Sequence, residues 1–219
     1  IWPGMLLSAG LPCPKEIFVH GFITINGQKM SKSVGNIIDP VELVKKYGVD
    51  PVRYYLLREI PSAEDGDFSV GKFEERYTAD LANGLGNLVA RITTLGEKVS
   101  PLIFDFSGDI ETRIKQVASE TYQNYEKEIT AIRLHEALVK IWAIISFADK
   151  YINDTKPWEI KDAEVFRKTL ANAGYLLGVI LNLVEPFLPQ TGEKIRQQIW
   201  FTDSVINFKK GENLFPRLV

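Results

Sequence analysis

Five consecutive residues, Lys29-Met30-Ser31-Lys32-Ser33, hold the densest potential for chemistry in the sequence. Two lysines three positions apart in a short loop can face one anion. Serine hydroxyls and exposed backbone N–H groups add neutral donors. Gly27 and Gly35 flank the run and permit the positive φ angles that a moving loop uses. Lysine charge stabilises the negative charge that grows on a departing pyrophosphate, so the loop suits the grip of a triphosphate in nucleotidyl transfer. The same composition also fits a solvated surface loop.

A second constellation lies further along. Apolar residues at Phe73, Tyr77, Leu81, Leu85, Leu88, Ile92 and Leu95 predict one long helix over Val70 to Lys98 with a single buried stripe. At about 100° per residue, Arg76, Asp80, Asn83, Asn87 and Arg91 form a polar stripe beside it. A carboxamide offers a donor and an acceptor to a base edge, and a guanidinium offers a planar fork that stacks. Unpaired RNA bases are read by such groups. A solvated helix face fits the spacing too.

The elements that must position these residues follow from local signals. Residues 1–10 predict a short helix broken by Pro12 and Pro14. Glu16 to Ile25 is rich in β-branched and aromatic residues and predicts a strand running into a second short strand. Asn26-Gly27 signals a tight turn into the lysine loop. Asp39-Pro40 predicts a helix start, with the helix running to Tyr47 and stopping at Gly48. Asp50-Pro51 repeats the signal for a second helix to Ile60. Beyond the acidic turn of residues 62–68, helices are expected over 109–129, 133–153, 161–185 and 191–201, then an irregular tail from 204 with one strand. The pattern is mixed α/β up to about residue 68 and helical beyond.

Composition narrows the classes. Of 219 residues, 45% are hydrophobic and 25% charged, which excludes a mainly disordered chain. No apolar run is long enough to span a membrane, so no membrane partner is expected. Cys13 alone forms no intramolecular disulfide, and with only His20 and His135 beside it no metal site is expected; a reducing, cytoplasmic location fits. The net charge of −2 means that any nucleic-acid surface is local. Ile1-Trp2-Pro3 reads as the middle of a longer polypeptide rather than a leader.

The stretch from Ile17 to Gln28, the KMSKS loop at 29–33, Val34-Gly35-Asn36 and Asp39-Pro40 together resemble methionyl-tRNA synthetases of class I. So do Arg53-Tyr54-Tyr55-Leu56-Leu57-Arg58-Glu59 and Asp65-Gly66-Asp67-Phe68-Ser69, and the likeness covers nearly the whole chain. The resemblance implies a mostly α protein: a short α/β remnant of a Rossmann-type catalytic domain over 1–37, a stem-contact helical connector over 38–69, and an α-helical bundle anticodon-binding domain over 70–219. It implies ATP as substrate, with Mg in the full enzyme, and tRNA(Met) as partner through its anticodon stem-loop.

Residue roles follow by motif match. Lys29 and Lys32 would stabilise the transition state of methionyl-adenylate formation, with Lys32 foremost. Met30 would anchor the loop, and Ser31 and Ser33 would shape it. His20 and Gly21 would end a strand beside the nucleotide. Asn87 and Arg91 match the Asn-x-x-x-Arg pair that reads the CAU anticodon, and Trp158, after Pro157, matches the tryptophan on which an anticodon base stacks. Trp2 would border the amino-acid site or lie in a core. Thr78 and Gly84 depart from the family's usual Asn and Asp. The His-Ile-Gly-His signature, the zinc knuckle and most of the methionine pocket are absent from these residues, so activation of ATP and methionine would need the missing N-terminal half. A free-standing tRNA-binding module, or part of a valine, leucine or isoleucine enzyme, are the alternative readings.

Overall fold

The computed structural model describes residues 1–31, 35 and 37–218. It is mostly helical, with two small three-stranded sheets. Helix α1 (Trp2–Ser8) buries none of its residues, and Trp2 is exposed. The strand expected from Glu16 is confined to β1 (Ile23–Ile25). A strand needs a neighbour for its backbone groups. From residue 22 onward there is one: β1 pairs antiparallel with β2 (Gln28–Lys29) and parallel with β3 (Gly66–Phe68). Ile17, Phe18, Val19 and Phe22 stay exposed.

Helix α2 (Pro40–Tyr47) starts as expected, with the Asp39 carboxylate accepting from Val41 N–H at 2.8 Å. Gly48, at φ 90°, ends it and at once precedes α3 (Val49–Glu59). Asp50 therefore does not cap its own helix. Its side chain accepts from Thr191 N–H at 2.6 Å, in the first turn of α9 (Pro189–Arg196), and so caps a helix 141 residues away.

The long helix is not uniformly α. It runs from α4 (Val70–Arg76) through a π-helical stretch, Tyr77–Gly86, into α5 (Asn87–Gly96). The reason is in the spacing. Phe73, Tyr77, Leu81, Leu85 and Val89 are all buried and follow one another in steps of four. On an α-helix each such step drifts by about 40°. The wider π turn absorbs the drift and keeps these side chains on one face.

Helices α6 (Thr112–Thr130), α7 (Leu134–Thr155) and α8 (Ala163–Val184) follow and pack on one another. The helix expected over 191–201 ends at Arg196. Ile199–Thr202 forms β5, which pairs antiparallel with β6 (Val205–Phe208), and β6 pairs antiparallel with β4 (Leu102–Ile103). Ile199, Ile206 and Phe208 alternate inward, and that burial outweighs the helical continuation. The region beyond residue 68 is thus helical with a sheet at one edge. Glu128, near the end of α6, is buried and accepts from Arg133 at 2.5 Å.

Two apolar cores result. A small one gathers Ile25, Tyr47, Val52, Tyr55, Phe68 and Phe73. A large one contains Tyr54 and the inward faces of α5 to α9 and the second sheet. Adjacent residues of α3, Tyr54 and Tyr55, face different cores.

Candidate functional site

The lysine loop leaves a clamped hairpin. Lys29 pairs across the ladder with Thr24, and the turn between them is Asn26-Gly27 with both residues at positive φ. Asp67, on β3, accepts from Gly27 N–H at 2.6 Å and from the Thr24 hydroxyl at 2.8 Å through one carboxylate oxygen. These bonds, the Gly27 N–H foremost, hold the Asp67 carboxyl below the usual carboxylate range. Lys29 and Met30 are exposed and Ser31 is half-buried. Lys32 and Ser33 lie outside the described residues.

His20 and Gly21 precede β1 rather than ending a strand. The ring nitrogen Nδ1 of His20 lies 2.9 Å from its neighbour's carbonyl, Gly21 O. Gly21 has a packing reason to be glycine: a β-carbon there would lie 2.0 Å from the Glu64 carbonyl oxygen. That approach lets Phe22 N–H donate to Asp65 at 2.7 Å and brings β3 alongside β1.

The helical part brings three of the expected residues into one neighbourhood. The Arg91 guanidinium carbon lies 5.5 Å from the centroid of the Trp158 ring, within reach of a cation–π contact. Trp158 is 51% exposed, so the indole keeps a face open to solvent. Arg91 donates to Asp149 at 2.7 Å and to Asn153 at 2.6 Å. Asn153 in turn donates its amide to the other Asp149 oxygen at 2.9 Å. The guanidinium is thereby fixed in plane by two residues one turn apart on α7. Lys156, in the left-handed region at φ 43°, ends α7, and buried Pro157 begins the short turn that carries Trp158. Asn87, one turn before Arg91 on α5, is exposed.

Sequence reasoning missed Asp149 and Asn153. Their i, i+4 spacing just before Pro157-Trp158 was the available signal. The polar stripe on the long helix also divides. Arg76 pairs with Glu59 at 2.6 Å and with Asp80 at 3.2 Å, and the Tyr54 hydroxyl donates to Asp80 at 2.7 Å. That end is tied to α3, whereas Asn83 and Asn87 face solvent. A β-carbon at Gly84 would lie 3.3 Å from the Ala79 carbonyl oxygen and in ordinary contact, 3.9 Å, with the indole nitrogen of Trp142 on α7, so the approach of α7 does not require the glycine. Lys45 pairs with Glu42, and Lys46 with Glu74. Among the described residues no three His, Cys, Asp or Glu side chains gather to hold a metal, and no helix is long and apolar enough to cross a membrane.

Residues 1–93 match the family described as tRNA synthetases class I (M). The methionine–tRNA ligase of Caldanaerobacter subterraneus subsp. tengcongensis is 38% identical over 239 residues, covering 100% of this chain and 38% of that protein. The methionine–tRNA ligase of Bacillus subtilis is 39% identical over 240 residues, covering 99% of this chain and 36% of its own length. Mycobacterium tuberculosis methionyl-tRNA synthetase, in a crystal structure bound by methionyl-adenylate, superposes with a TM-score of 0.87 at 30% identity over 98% of this chain and 46% of that one. The chain thus spans well under half the length of the curated relatives it matches. By sequence and by fold, it is a relative of the methionyl-tRNA synthetases.

Proposed function

We propose that this chain supplies two working parts of a methionine–tRNA ligase. The first is the loop of Lys29, Met30, Ser31, Lys32 and Ser33, launched from the clamped hairpin at the end of a Rossmann-type catalytic domain (1–37). In methionyl-adenylate formation a methionine carboxylate oxygen attacks the α-phosphorus of ATP, and the bond to pyrophosphate breaks. Lys29 and Lys32 stabilise the charge that gathers on the leaving pyrophosphate, with His20 and Gly21 in the adjoining segment. Mg accompanies the ATP. The methionine then passes to the tRNA as an ester. The second part is the helical region 70–219, joined through the connector 38–69, which reads the CAU anticodon of tRNA(Met) with Asn87, Arg91 and Trp158. These 219 residues contain no His-Ile-Gly-His signature, so methionine activation requires sequence supplied from elsewhere in the ligase.

The observation that carries this reading is the pairing of a clamped guanidinium with a half-exposed indole. An unpaired base can stack on the indole while the guanidinium and the Asn87 carboxamide meet its edge. Stacking of this kind contributes about 1–3 kcal/mol per base. The experiment is a fluorescence-anisotropy titration of the 219-residue chain with a tRNA(Met) anticodon stem-loop. The Trp158→Ala variant is expected to bind about tenfold or more weakly. A loop carrying a valine anticodon is expected to bind like that variant. Equal affinity for the two loops would end the methionine assignment.

A further inference from the structure

A cavity of about 460 Å³ lies between α6, α8 and β5, none of which carries a residue assigned to RNA reading. Ile199, Trp200 and Phe201 of β5 all line it. A strand presents only alternate side chains to one face, so the cavity runs along the edge of β5 rather than over a face. β5 is the outer strand of its sheet, in the order β4, β6, β5. We propose that this edge accepts an added strand: an extended, uncharged peptide segment of a partner protein, which pairs with the Phe201 backbone and seats one aromatic side chain in the cavity.

Four observations carry it. The first is the phase of the ladder. The Gln198 carbonyl accepts from Lys209 N–H at 2.9 Å, one residue beyond the Ile199–Phe208 pair. Backbone direction alternates along an antiparallel ladder, so Trp200 and Thr202 also face β6, and Phe201 presents its N–H and carbonyl outward. Among the described residues neither group has a hydrogen-bond partner. Second, nothing guards the edge. Edge strands commonly resist pairing with a lysine, a proline or a bulge. Ile199-Trp200-Phe201-Thr202 has none of these, its register with β6 is unbroken, and Trp200 and Phe201 stay exposed. Third, the cavity is neutral. Its one charged lining side chain, Arg196, is held by Glu185, with Nε donating at 2.8 Å. A charged guest would lose water without gaining a counter-charge. An aromatic guest would meet the rings of Tyr122 and Tyr175 and buried Leu181. The Asn182 amide nitrogen donates to the Tyr122 hydroxyl at 3.4 Å, which leaves the carboxamide oxygen for an indole N–H. Fourth, a second copy of the chain fits poorly. The Phe201 ring is seated on Gly178 of its own chain, where a β-carbon would lie 2.6 Å from it. Self-pairing of β5 about Phe201 would oppose two rings already seated and leave both cavities unfilled.

The test titrates the isotope-labelled 219-residue chain with a short blocked peptide of alternating Thr and Val about a central Trp, followed by amide chemical shifts. The Phe201 and Gly178 amides are expected to shift together, with a Kd of about 100 μM. Replacing the peptide's Trp by Ala is expected to weaken binding about tenfold. Asn182→Lys brings a charge into the cavity from an exposed position and should weaken binding by about tenfold or more. Methylating the peptide nitrogens that pair with the edge should abolish binding, because an added strand needs those N–H groups. If no amide shifts up to about 1 mM peptide, the edge takes no strand and the proposal is overturned. If the methylated peptide binds as well as its parent, the cavity captures a ring without strand addition, and the proposal is overturned. If Asn182→Lys binds as wild type, the aromatic side chain lies outside the cavity, with the same consequence. If the free chain sediments as a dimer that the peptide dissociates, the occupant is a second copy and the partner segment is overturned. An unchanged thermal melt of Asn182→Lys excludes misfolding.

Discussion

Arg91 engages three neighbours at once: a carboxylate, a carboxamide and an indole. Only a planar fork with several N–H groups can do so, because a lysine ammonium is a compact point charge that takes one partner at a time. This distinguishes shape from charge. Arg91→Lys keeps the charge and loses the plane, and we expect it to bind the anticodon stem-loop about tenfold more weakly than wild type. Binding equal to wild type, measured at matched salt, would show that the residue contributes only charge. At this scale the sequence was partly legible. Asn87, Arg91 and Trp158 were recognisable from the family resemblance, and the structure brings Arg91 and Trp158 together. Asp149 and Asn153 were not, because i, i+4 polar pairs decorate any exposed helix face. Only the approach of α7 to α5 reveals that these two fix a guanidinium. Gly21 was read through the family resemblance and not as a packing necessity, since the Glu64 carbonyl that demands it lies 43 residues downstream.

Elements were legible where their own residues decided them. Asp39-Pro40 and Gly48 bounded α2 as read, because cap chemistry is local. The π-helical stretch was written in consecutive four-residue steps, yet a period of about 3.6 was the natural template to lay over them. The strand β5 was hidden because Ile199 to Thr202 become a strand only through pairing with β6. The β1–β2 hairpin depends on one distant carboxylate, and this makes its order pH-dependent. Asp67 is held below its ordinary pKa by Gly27 N–H first and by Thr24 second. A depressed native pKa means that the unfolded chain takes up the proton more readily. The stabilisation is therefore complete above the unfolded value, about 3.9, and is lost as pH falls through the native one. Amide-exchange protection of Gly27, normalised to intrinsic rates, should hold near neutrality and fall in acid only as the pH drops through the native value, below the ordinary carboxylate range. Asp67→Asn should show low protection with no such step. Equal Gly27 protection in wild type and Asp67→Asn near neutrality would refute the clamp.

At the scale of the molecule, α3 is the joint. It sends Tyr55 and Val52 into the small core under the lysine-loop hairpin and Tyr54 into the large core shared by α5 to α9. The same helix also grips the ends of two others. Asp50 caps α9 at Thr191, and Arg53 donates to the Phe187 carbonyl at 2.8 Å and the Pro186 carbonyl at 3.3 Å, just past the end of α8. An acid thus meets the start of one helix and a base the end of another, each complementing the local dipole. Asp50 is only 3% exposed, and its second oxygen is buried without a hydrogen-bond partner, so desolvation offsets part of the cap. Asp50→Ala should still lower global stability by about 1 kcal/mol. The larger consequence is for cooperativity. With α3 anchored, the two cores are expected to unfold together. In Asp50→Ala/Arg53→Ala the small core should open first. Native-state exchange in urea reads this directly: Ile25, in the small core, and Ile180, in the large core, should share one opening free energy in the wild type and separate in the double variant. If they separate already in the wild type, α3 does not couple the cores. If they stay together in the double variant, the Tyr54 and Tyr55 packing alone makes the joint.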